Sequence, residues 1–450
     1  MIDQNPALAV HPEEYSLLTD LYQLTMIACY KGENLDNRPA SFEMFTRKLP
    51  NGFGYIIAMG LTQVLNYLEN LRFSEAQIKA LQNTGIFDNA PPDFWEMLAT
   101  GRFTGDVWAV PEGTAMFPNE PFLRVDAPLW QAQLVETFIL NTINYQSLIA
   151  TRAARLRDAA GKQAKLLEFG TRRAFSPQGA VWAVRAALAG GIDSTSNVIG
   201  ALKLGQKPVG TMAHALVMAI GALEGGEDAA FTAFQRYFPT ATLLIDTYDT
   251  VEAAQRLAKQ VEAGERQVTG VRLDSGDLAE LSQKVRALLP DISIFASGDI
   301  DEWEIERLNA AGASIDGYGL GTKLVTGKPV NGVYKLVQID DVPTLKKSSS
   351  KATYPGRKQV FRFPDRDYLA LADEATPEGA QPLLQQVMGE GKRLGDFDSI
   401  EQIRDRVAQS VAHLPPKTRK IQNPESLKVD ISEALGDLTA KVQARISNEQ

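Results

Sequence analysis

The chain has 450 residues, of which 44% are hydrophobic and 22% charged, and this composition excludes a largely disordered protein. Its formal net charge of −9 argues against a protein whose main partner is a nucleic acid or an acidic membrane. The single cysteine, Cys29, excludes an intramolecular disulfide and a cysteine-rich zinc site.

No secretion or membrane signal is visible in the sequence. The first residues lack a basic stretch followed by a long apolar run, and no later segment approaches the ~20 apolar residues of a membrane span. We therefore expect a soluble cytoplasmic protein without a membrane partner.

Up to about residue 160, helix and strand signals are mixed. Segment 16–30 predicts a helix, and segments 40–49 and 54–60 predict strands around a turn. Short strand-like runs follow, and residues 129–161 predict a long buried helix broken near its middle.

From residue 161, apolar strand-like runs alternate with helical stretches. Asp249, Asp277 and Asp301 each precede a glutamate by three residues, which predicts helix N-caps. The regular alternation, without a GxGxxG after a first strand, favours a closed (β/α) barrel over an open doubly wound sheet. The predicted strands are KLLEFG (165–170), KPVGTM (207–212), ATLLID (241–246), GVRLD (270–274), SIFAS (293–297) and IDGYGLG (315–321).

The C-terminal part changes character. A basic, serine-rich segment around 346–358 predicts a surface loop, for which a catalytic lid is one interpretation. Residues 399–414 and 430–446 then predict two amphipathic helices with a structural role.

Polar residues close each apolar run of the predicted barrel, where reactive groups of such folds lie. Glycines beside small hydroxyl residues, in SGD at 275–277, SGD at 297–299 and GLGT at 319–322, predict backbone phosphate binding around Ser275, Gly298 and Gly321. The alternative for each motif alone is a tight turn with an aspartate cap.

Arg272 lies inside the apolar run GVRLD, where an uncompensated guanidinium is costly, so it requires an anion. The alternative to a substrate anion is a salt bridge with Asp246 or Asp274. The carboxylates Asp246, Asp274, Asp277 and Asp299 are also candidates for Mg²⁺, with substrate phosphates as further ligands, and helix capping is the alternative for Asp277 and Asp299.

His214 is one of three histidines and follows a strand-like segment in GTMAH. It is a candidate base, ligand or covalent phosphate acceptor, and a structural histidine is the alternative. Zinc ligation is not expected, because no second histidine or cysteine lies nearby.

Eight segments in order resemble the nicotinate phosphoribosyltransferase family: LLTDLYQLTM, FEMFTRKLP, LLEFGTRRA, GTMAH, GVRLDSGDL, FASGDI, GYGLGTKL and GVYKLV. The resemblance implies an α/β, type II phosphoribosyltransferase fold, with an irregular barrel and an α/β sandwich. The implied division is an N-terminal sandwich with linking helices (1–160), a barrel (161–335) and a C-terminal segment returning to the sandwich (336–450).

The family's activity forms nicotinate mononucleotide and pyrophosphate from nicotinate and phosphoribosyl pyrophosphate, coupled to ATP hydrolysis, in NAD salvage. By the resemblance, His214 is the residue that ATP phosphorylates, Asp274 stabilises the oxocarbenium-like ribose, and a homodimer is expected. The resemblance implies that Tyr22, Thr211 and Arg272 contact nicotinate and that Arg173 and Thr322 help hold phosphoribosyl pyrophosphate. The glycine motifs add Ser275, Gly298 and Gly321 as phosphoribosyl pyrophosphate contacts, and the Mg²⁺ candidates are Asp246 and Asp299.

One position departs from the pattern, because Ala215 follows the histidine where many relatives have serine. A hydroxyl that would contact a phosphate is therefore missing, which bears on the strength of ATP coupling. Two alternative functions remain: a nicotinamide phosphoribosyltransferase, and a non-catalytic nucleotide-sensing scaffold on the same fold.

Overall fold

The structure, a computed structural model, describes residues 8–348 and 351–449. Two short 3-10 helices, Pro12–Glu14 and Thr171–Arg173, accompany the α-helices. The α-helices are α1 (Leu21–Gly32), α2 (Leu61–Asn70), α3 (Glu75–Gln82), α4 (Phe94–Thr100), α5 (Leu129–Leu134), α6 (Glu136–Ala160), α7 (Pro177–Ala189), α8 (Val198–Lys203), α9 (His214–Glu224), α10 (Glu227–Tyr237), α11 (Thr250–Glu262), α12 (Leu278–Leu288), α13 (Glu302–Ala310), α14 (Thr322–Val325), α15 (Ile400–His413), α16 (Pro416–Arg419) and α17 (Glu433–Glu449).

The strands form two large and three small sheets. They are β1 (Pro39–Phe45), β2 (Ile56–Ile57), β3 (Asp106–Ala109), β4 (Ala115–Met116), β5 (Pro121–Pro128), β6 (Lys165–Glu168), β7 (Ser194–Thr195), β8 (Leu243–Leu244), β9 (Gly270–Leu273), β10 (Ser293–Gly298), β11 (Gly317–Leu320), β12 (Val333–Ile339), β13 (Val342–Pro343), β14 (Lys347–Ser348), β15 (Lys351–Ala352), β16 (Lys358–Arg362), β17 (Asp367–Leu371), β18 (Gln381–Pro382), β19 (Gln385–Gly389), β20 (Lys392–Arg393) and β21 (Val429–Ile431).

The predicted parallel strands form one six-stranded sheet in the order β7-β6-β11-β10-β9-β8. Every pairing in it is parallel. Strands β6, β8, β9 and β11 fall within the predicted runs, and β10 extends one residue beyond its run. The predicted N-caps are confirmed, because the side chains of Asp249, Asp277 and Asp301 accept hydrogen bonds from first-turn backbone N–H groups. The helices therefore start where the sequence indicates.

The prediction of a strand at 207–212 is wrong, since this segment is irregular. Pro208 has no N–H to donate to a ladder. Two isolated hydrogen bonds hold the segment instead: the Val209 N–H donates to the Thr195 carbonyl at 2.9 Å, and the Thr211 hydroxyl to the Thr242 carbonyl at 2.5 Å. The segment thus joins the β7 side of the sheet to the β8 side without a regular strand, which makes the barrel irregular.

The second large sheet has seven strands in the order β13-β12-β1-β5-β3-β19-β20. Strands β1, β3 and β5 come from the N-terminal part, whereas β12, β13, β19 and β20 follow the barrel in sequence. The C-terminal part therefore returns to the N-terminal sheet. The predicted domain boundaries at 160/161 and 335/336 stay predictions.

The long helix is broken at Val135 between α5 and α6, near its start, so the prediction of a break near its middle is wrong. Helix α6 connects the sandwich to the barrel through Arg155, whose Nε lies 2.9 Å from the Glu302 carboxylate in the interior. The same guanidinium donates to the carbonyl of Ile421 at 3.2 Å. Because one buried cation contacts three separate parts of the chain, it fixes the barrel against the sandwich.

No helix within the described ranges is long and apolar enough to span a bilayer. Residues 349 and 350, in the middle of the predicted loop, lie outside the described residues, so the lid stays a prediction.

Candidate functional site

A cavity of about 790 Å³ opens at the carboxyl ends of the parallel strands. Parallel strands bring these ends to one edge, so loops distant in sequence meet there. The lining residues are Phe169, Thr171, Arg172, Arg173, Ser196, Asn197, Val198, Gly210, Thr211, Met212, Ala213, Arg272, Asp274, Ser297, Gly298, Asp299, Gly319, Gly321 and Thr322.

Most of the predicted site residues meet in this cavity. His214 directly follows the lining residue Ala213, while Ser275 and Asp246 do not line the cavity and are bonded to each other. Tyr22 does not line the cavity. The predicted residues that do line it are Arg173, Thr211, Arg272, Asp274, Gly298, Asp299, Gly321 and Thr322.

Arg272 is a cation without a salt bridge among the described residues, and its Nε is buried without a hydrogen-bond partner. Burial lowers the pKa of its guanidinium, and the negative charges of Asp274 and Asp246 oppose that shift. The alternative prediction of a salt bridge with either aspartate is therefore wrong. A half-buried guanidinium that faces a cavity and has no salt-bridge partner is suited to bind a planar carboxylate.

Asp246 is engaged on both of its oxygens. One oxygen lies 3.1 Å from Nε2 of His214, and the other accepts the Ser275 hydroxyl at 2.6 Å and the Asp274 N–H at 3.0 Å. Its side chain is 1% exposed and that of His214 is 39% exposed. Because a carboxylate only accepts, Nε2 carries a proton, and in the neutral imidazole Nδ1 is then left with a lone pair.

Asp274 and Ser297 connect the ends of β9 and β10, because the Ser297 hydroxyl donates to the Asp274 carboxylate. The next residue, Gly298, has φ +119°, and a Cβ there would lie 3.1 Å from the Asp274 carbonyl. Only glycine adopts this backbone without strain. The predicted glycine turn is therefore a close approach of two strand ends that leaves Asp274 facing the cavity.

The sequence interpretation missed one wall of the cavity. Ser196, Asn197 and Val198 follow β7, a two-residue strand without an apolar run to mark it. Phe169 also lies in the wall, with its N–H bonded to the Leu320 carbonyl at 2.7 Å. The only signal for β7 was the polar cluster STSN after a Gly-Gly turn, which reads as a loop.

Tyr22 lies in the first turn of α1 in the sandwich and is 48% exposed. Its neighbours Leu18 and Leu21 are also exposed, at 37% and 51%. Gln23, on the opposite face, donates to the buried Glu136 at 2.9 Å and so fixes the helix. Tyr22 is thus held on a rigid, partly apolar surface away from this chain's own cavity.

The carboxylates of the mouth offer few metal ligands. Within the described ranges, no group of three or more His, Cys, Asp or Glu side chains is arranged to hold an ion. Asp299 lines the cavity and makes no ion pair within those ranges, whereas both oxygens of Asp246 are occupied. This donor set fits Mg²⁺, which is usually held by one or two carboxylates together with substrate phosphates and water.

Three family models match most of the chain. Residues 17–144 match the nicotinate phosphoribosyltransferase N-terminal domain, residues 164–295 the nicotinate phosphoribosyltransferase family, and residues 374–439 its C-terminal domain. A nicotinate phosphoribosyltransferase of Mycobacterium tuberculosis is 41% identical, over 92% of this chain and 91% of that protein. One from Bacillus subtilis is 39% identical, over 94% of each.

Solved structures agree with these matches. The crystal structure of human nicotinic acid phosphoribosyltransferase superposes with a TM-score of 0.82 at 29% identity, over 94% of this chain and 99% of that chain. A nicotinate-nucleotide pyrophosphorylase from Pyrococcus furiosus superposes with a TM-score of 0.75 at 26% identity, over 90% and 98% of the two chains.

Asp246→Asn is expected to release the His214 imidazole from its fixed tautomer. An amide offers one acceptor oxygen to three donors, so Nε2 of His214 loses its dedicated partner. Imidazole ¹⁵N shifts should show the Nε2–H form in the wild type and a mixture in the variant. His413, bonded to the Gln409 carbonyl, is the internal control. Unchanged His214 shifts in Asp246→Asn would contradict this prediction.

Proposed function

The chain belongs to the nicotinate phosphoribosyltransferase family, and on that premise we propose how its residues divide the work of the reaction. The enzyme joins nicotinate to phosphoribosyl pyrophosphate in NAD biosynthesis, with release of pyrophosphate. The predicted type II fold is confirmed. The relatives described above are named for nicotinate, so the nicotinamide-specific and non-catalytic alternatives are set aside.

We assign recognition of nicotinate to Arg272. Its unpaired guanidinium supplies two parallel donors to the carboxylate of the substrate, which removes the electrostatic penalty of its burial. The Thr211 hydroxyl already donates to the Thr242 carbonyl, so Thr211 is left to contact nicotinate through its backbone N–H. The absent salt bridge at Arg272 is the observation that carries this assignment.

The phosphoribosyl group then lies along the glycine-rich wall. Arg173, Thr322 and the backbone at Gly298 and Gly321 surround that side of the cavity, which suits phosphate oxygens. The Ser275 hydroxyl donates to Asp246 and Ser275 does not line the cavity, so its proposed contribution is indirect. Mg²⁺ at Asp299 would neutralise charge on the departing pyrophosphate.

The bond change needs a negative charge near the anomeric carbon. As the bond to pyrophosphate breaks, the ribose gains oxocarbenium character, and the pyridine nitrogen then forms the new bond to carbon. Asp274 faces the cavity with one oxygen fixed by Ser297, so its carboxylate is pre-organised to stabilise this positive charge.

His214 is the proposed acceptor of the ATP γ-phosphoryl group. Asp246 keeps the proton on Nε2, so the Nδ1 lone pair attacks phosphorus while the bond to ADP breaks. His214 is also the first residue of α9, whose N-cap Ala213 makes no side-chain cap bond. First-turn N–H groups of α9 are therefore left for phosphoryl oxygens, which offsets the hydroxyl missing at Ala215.

A homodimer is part of the proposal, because Tyr22 belongs to the family's nicotinate site but lies outside this chain's cavity. Apolar side chains around the mouth are exposed, among them Phe175 at 77%, Val198 at 59% and Leu202 at 66%. A second copy would cover this surface and bring its own Tyr22 to the pyridine ring. A single cysteine, Cys29, fits a reducing compartment, so we place the enzyme in the cytoplasm.

Arg272→Met is expected to lower kcat/KM for nicotinate about a hundredfold, because the carboxylate loses its charged partner in a desolvated site. The KM for phosphoribosyl pyrophosphate should change little. The kcat/KM of Arg272→Lys for nicotinate should lie between those of the wild type and Arg272→Met, because lysine keeps the charge but loses the planar pair of donors. Steady-state assays with nicotinate and nicotinamide measure this, and an equal loss with both substrates would contradict the assignment.

His214→Ala is expected to remove both ATP stimulation of nucleotide formation and transfer of ³²P from γ-labelled ATP to the protein. The ATP-independent reaction should remain, because Arg272 and Asp274 are untouched. His413→Ala, which alters an exposed surface histidine, is the matched control. Full ATP stimulation in His214→Ala would overturn the phosphohistidine role.

Mixing two variants that each lack ATP-dependent activity tests the shared site. Tyr22→Ala and His214→Ala, refolded together in equal amounts, should regain up to about a quarter of wild-type ATP-dependent activity, because half of the dimers are mixed and each has one intact site. Each variant refolded alone should stay without ATP-dependent activity. If Tyr22 served the cavity of its own chain, mixing would restore nothing.

A further inference from the structure

Glu168 is a buried carboxyl group that the reaction scheme above does not use. It ends β6 and is 1% exposed, and no cation within the described ranges pairs with it. One oxygen accepts the N–H of Gly170, and the other accepts the Thr195 hydroxyl at 2.5 Å. One side chain therefore connects the loop after β6 to the end of β7.

The connection continues into a second loop of the cavity wall. The Thr195 oxygen accepts the Asn197 N–H at 2.9 Å, and the Asn197 side chain accepts the Gly200 N–H at 2.8 Å, which caps α8. The two loops joined in this way are Thr171–Arg173 and Ser196–Val198, and both line the cavity. The Glu168 side chain thus links these two walls, beside the backbone bond from the Ser196 N–H to the Glu168 carbonyl at 2.9 Å.

The electrostatics of Glu168 differ from those of a carboxylate that only stabilises the fold. Burial raises the pKa of Glu168, against the two hydrogen bonds that lower it. Asp193, at the opposite end of the same pair of strands, accepts the Leu166 N–H and is paired with Arg157 and Arg404, and its pKa is lowered. The carboxyl groups at the two ends of the β6–β7 pair therefore have pKa values shifted in opposite directions.

We propose that Glu168 is a positioning residue that sets the distance between the Arg173 loop and the Ser196–Asn197 loop for the phosphoribosyl group. Its ionised form is needed because both of its oxygens must accept. In a protonated carboxyl or an amide, one of the two acceptors becomes a donor. That donor would then face another donor, either the Gly170 N–H or the Thr195 hydroxyl, and one hydrogen bond would be lost. This inference rests on the proposed placement of phosphoribosyl pyrophosphate at this wall.

Glu168→Gln tests it. We expect kcat/KM for phosphoribosyl pyrophosphate to fall about ten- to a hundredfold, through KM, because misplacement of a binding wall costs orientation. The KM for nicotinate should stay near the wild-type value, since Arg272 lies on β9. The fall of wild-type kcat/KM on the acid side, as Glu168 takes up a proton, should be missing in the variant.

Stability separates positioning from a purely structural role. A raised carboxyl pKa contributes stability below its unfolded value that is lost as pH rises through the folded value. As the pH rises from acid to neutral, the wild type should lose this stability and Glu168→Gln should not. The thermal midpoint of the variant minus that of the wild type should therefore increase over this pH range. Asp193→Asn is the control: it should lower the midpoint at neutral pH and leave the KM for phosphoribosyl pyrophosphate unchanged.

Thr195→Val removes the hydroxyl link and provides a second variant in case the first does not fold; it should show the same KM change. Wild-type KM values in both variants, or equal losses for both substrates, would overturn the inference. Arg173→Ala separates a failure of the Glu168 role from a failure of the proposed substrate placement. If Arg173→Ala also leaves the KM for phosphoribosyl pyrophosphate unchanged, the placement of this substrate at the wall is wrong. If Arg173→Ala raises that KM, the placement stands and only the role of Glu168 is wrong.

Discussion

The arrangement of side chains at the cavity mouth depends on one unpaired guanidinium, that of Arg272 near the end of the parallel strand β9. Arg272 is half-buried, and two aspartates are close enough to affect its pKa, yet neither pairs with it. Asp246 is taken by His214, Ser275 and the Asp274 backbone, and Asp274 by Ser297. The hydrogen bonds that withhold carboxylates from Arg272 are thus the same ones that orient His214 and Asp274, the groups proposed to act in the reaction.

Much of this arrangement could be predicted because it depends on local chemistry. Asp249, Asp277 and Asp301 cap helices through bonds that span two or three residues, and β9 and β10 match their predicted apolar runs to within one residue at each end. Arg272 was identifiable because a guanidinium in an apolar run has a high desolvation cost wherever the chain places it. Those signals need no knowledge of tertiary contacts.

Other features depend on contacts that the sequence does not encode locally. Residues 207–212 have an apolar, strand-like composition, but Pro208 and the distance between β7 and β8 leave only two isolated bonds. Strand β7 has two residues and exists because β6 offers it a partner. The position of Tyr22 relative to the cavity depends on packing between sandwich and barrel, so a correct motif still left open which copy's cavity it serves.

The shared use of Asp246 offers the proposed mechanism a physical route from ATP to substrate binding. A phosphoryl group on His214 would add about −1.5 to −2 units of charge at pH 7. Asp246, which is buried and negative, lies 3.1 Å from that imidazole. Repulsion would act on the one carboxylate that also holds Ser275 and the Asp274 backbone, and Asp274 lines the cavity as the group proposed to stabilise the ribose. The proposed coupling would need no large domain movement, because a shift at Asp246 would reach Asp274 through a single hydrogen bond.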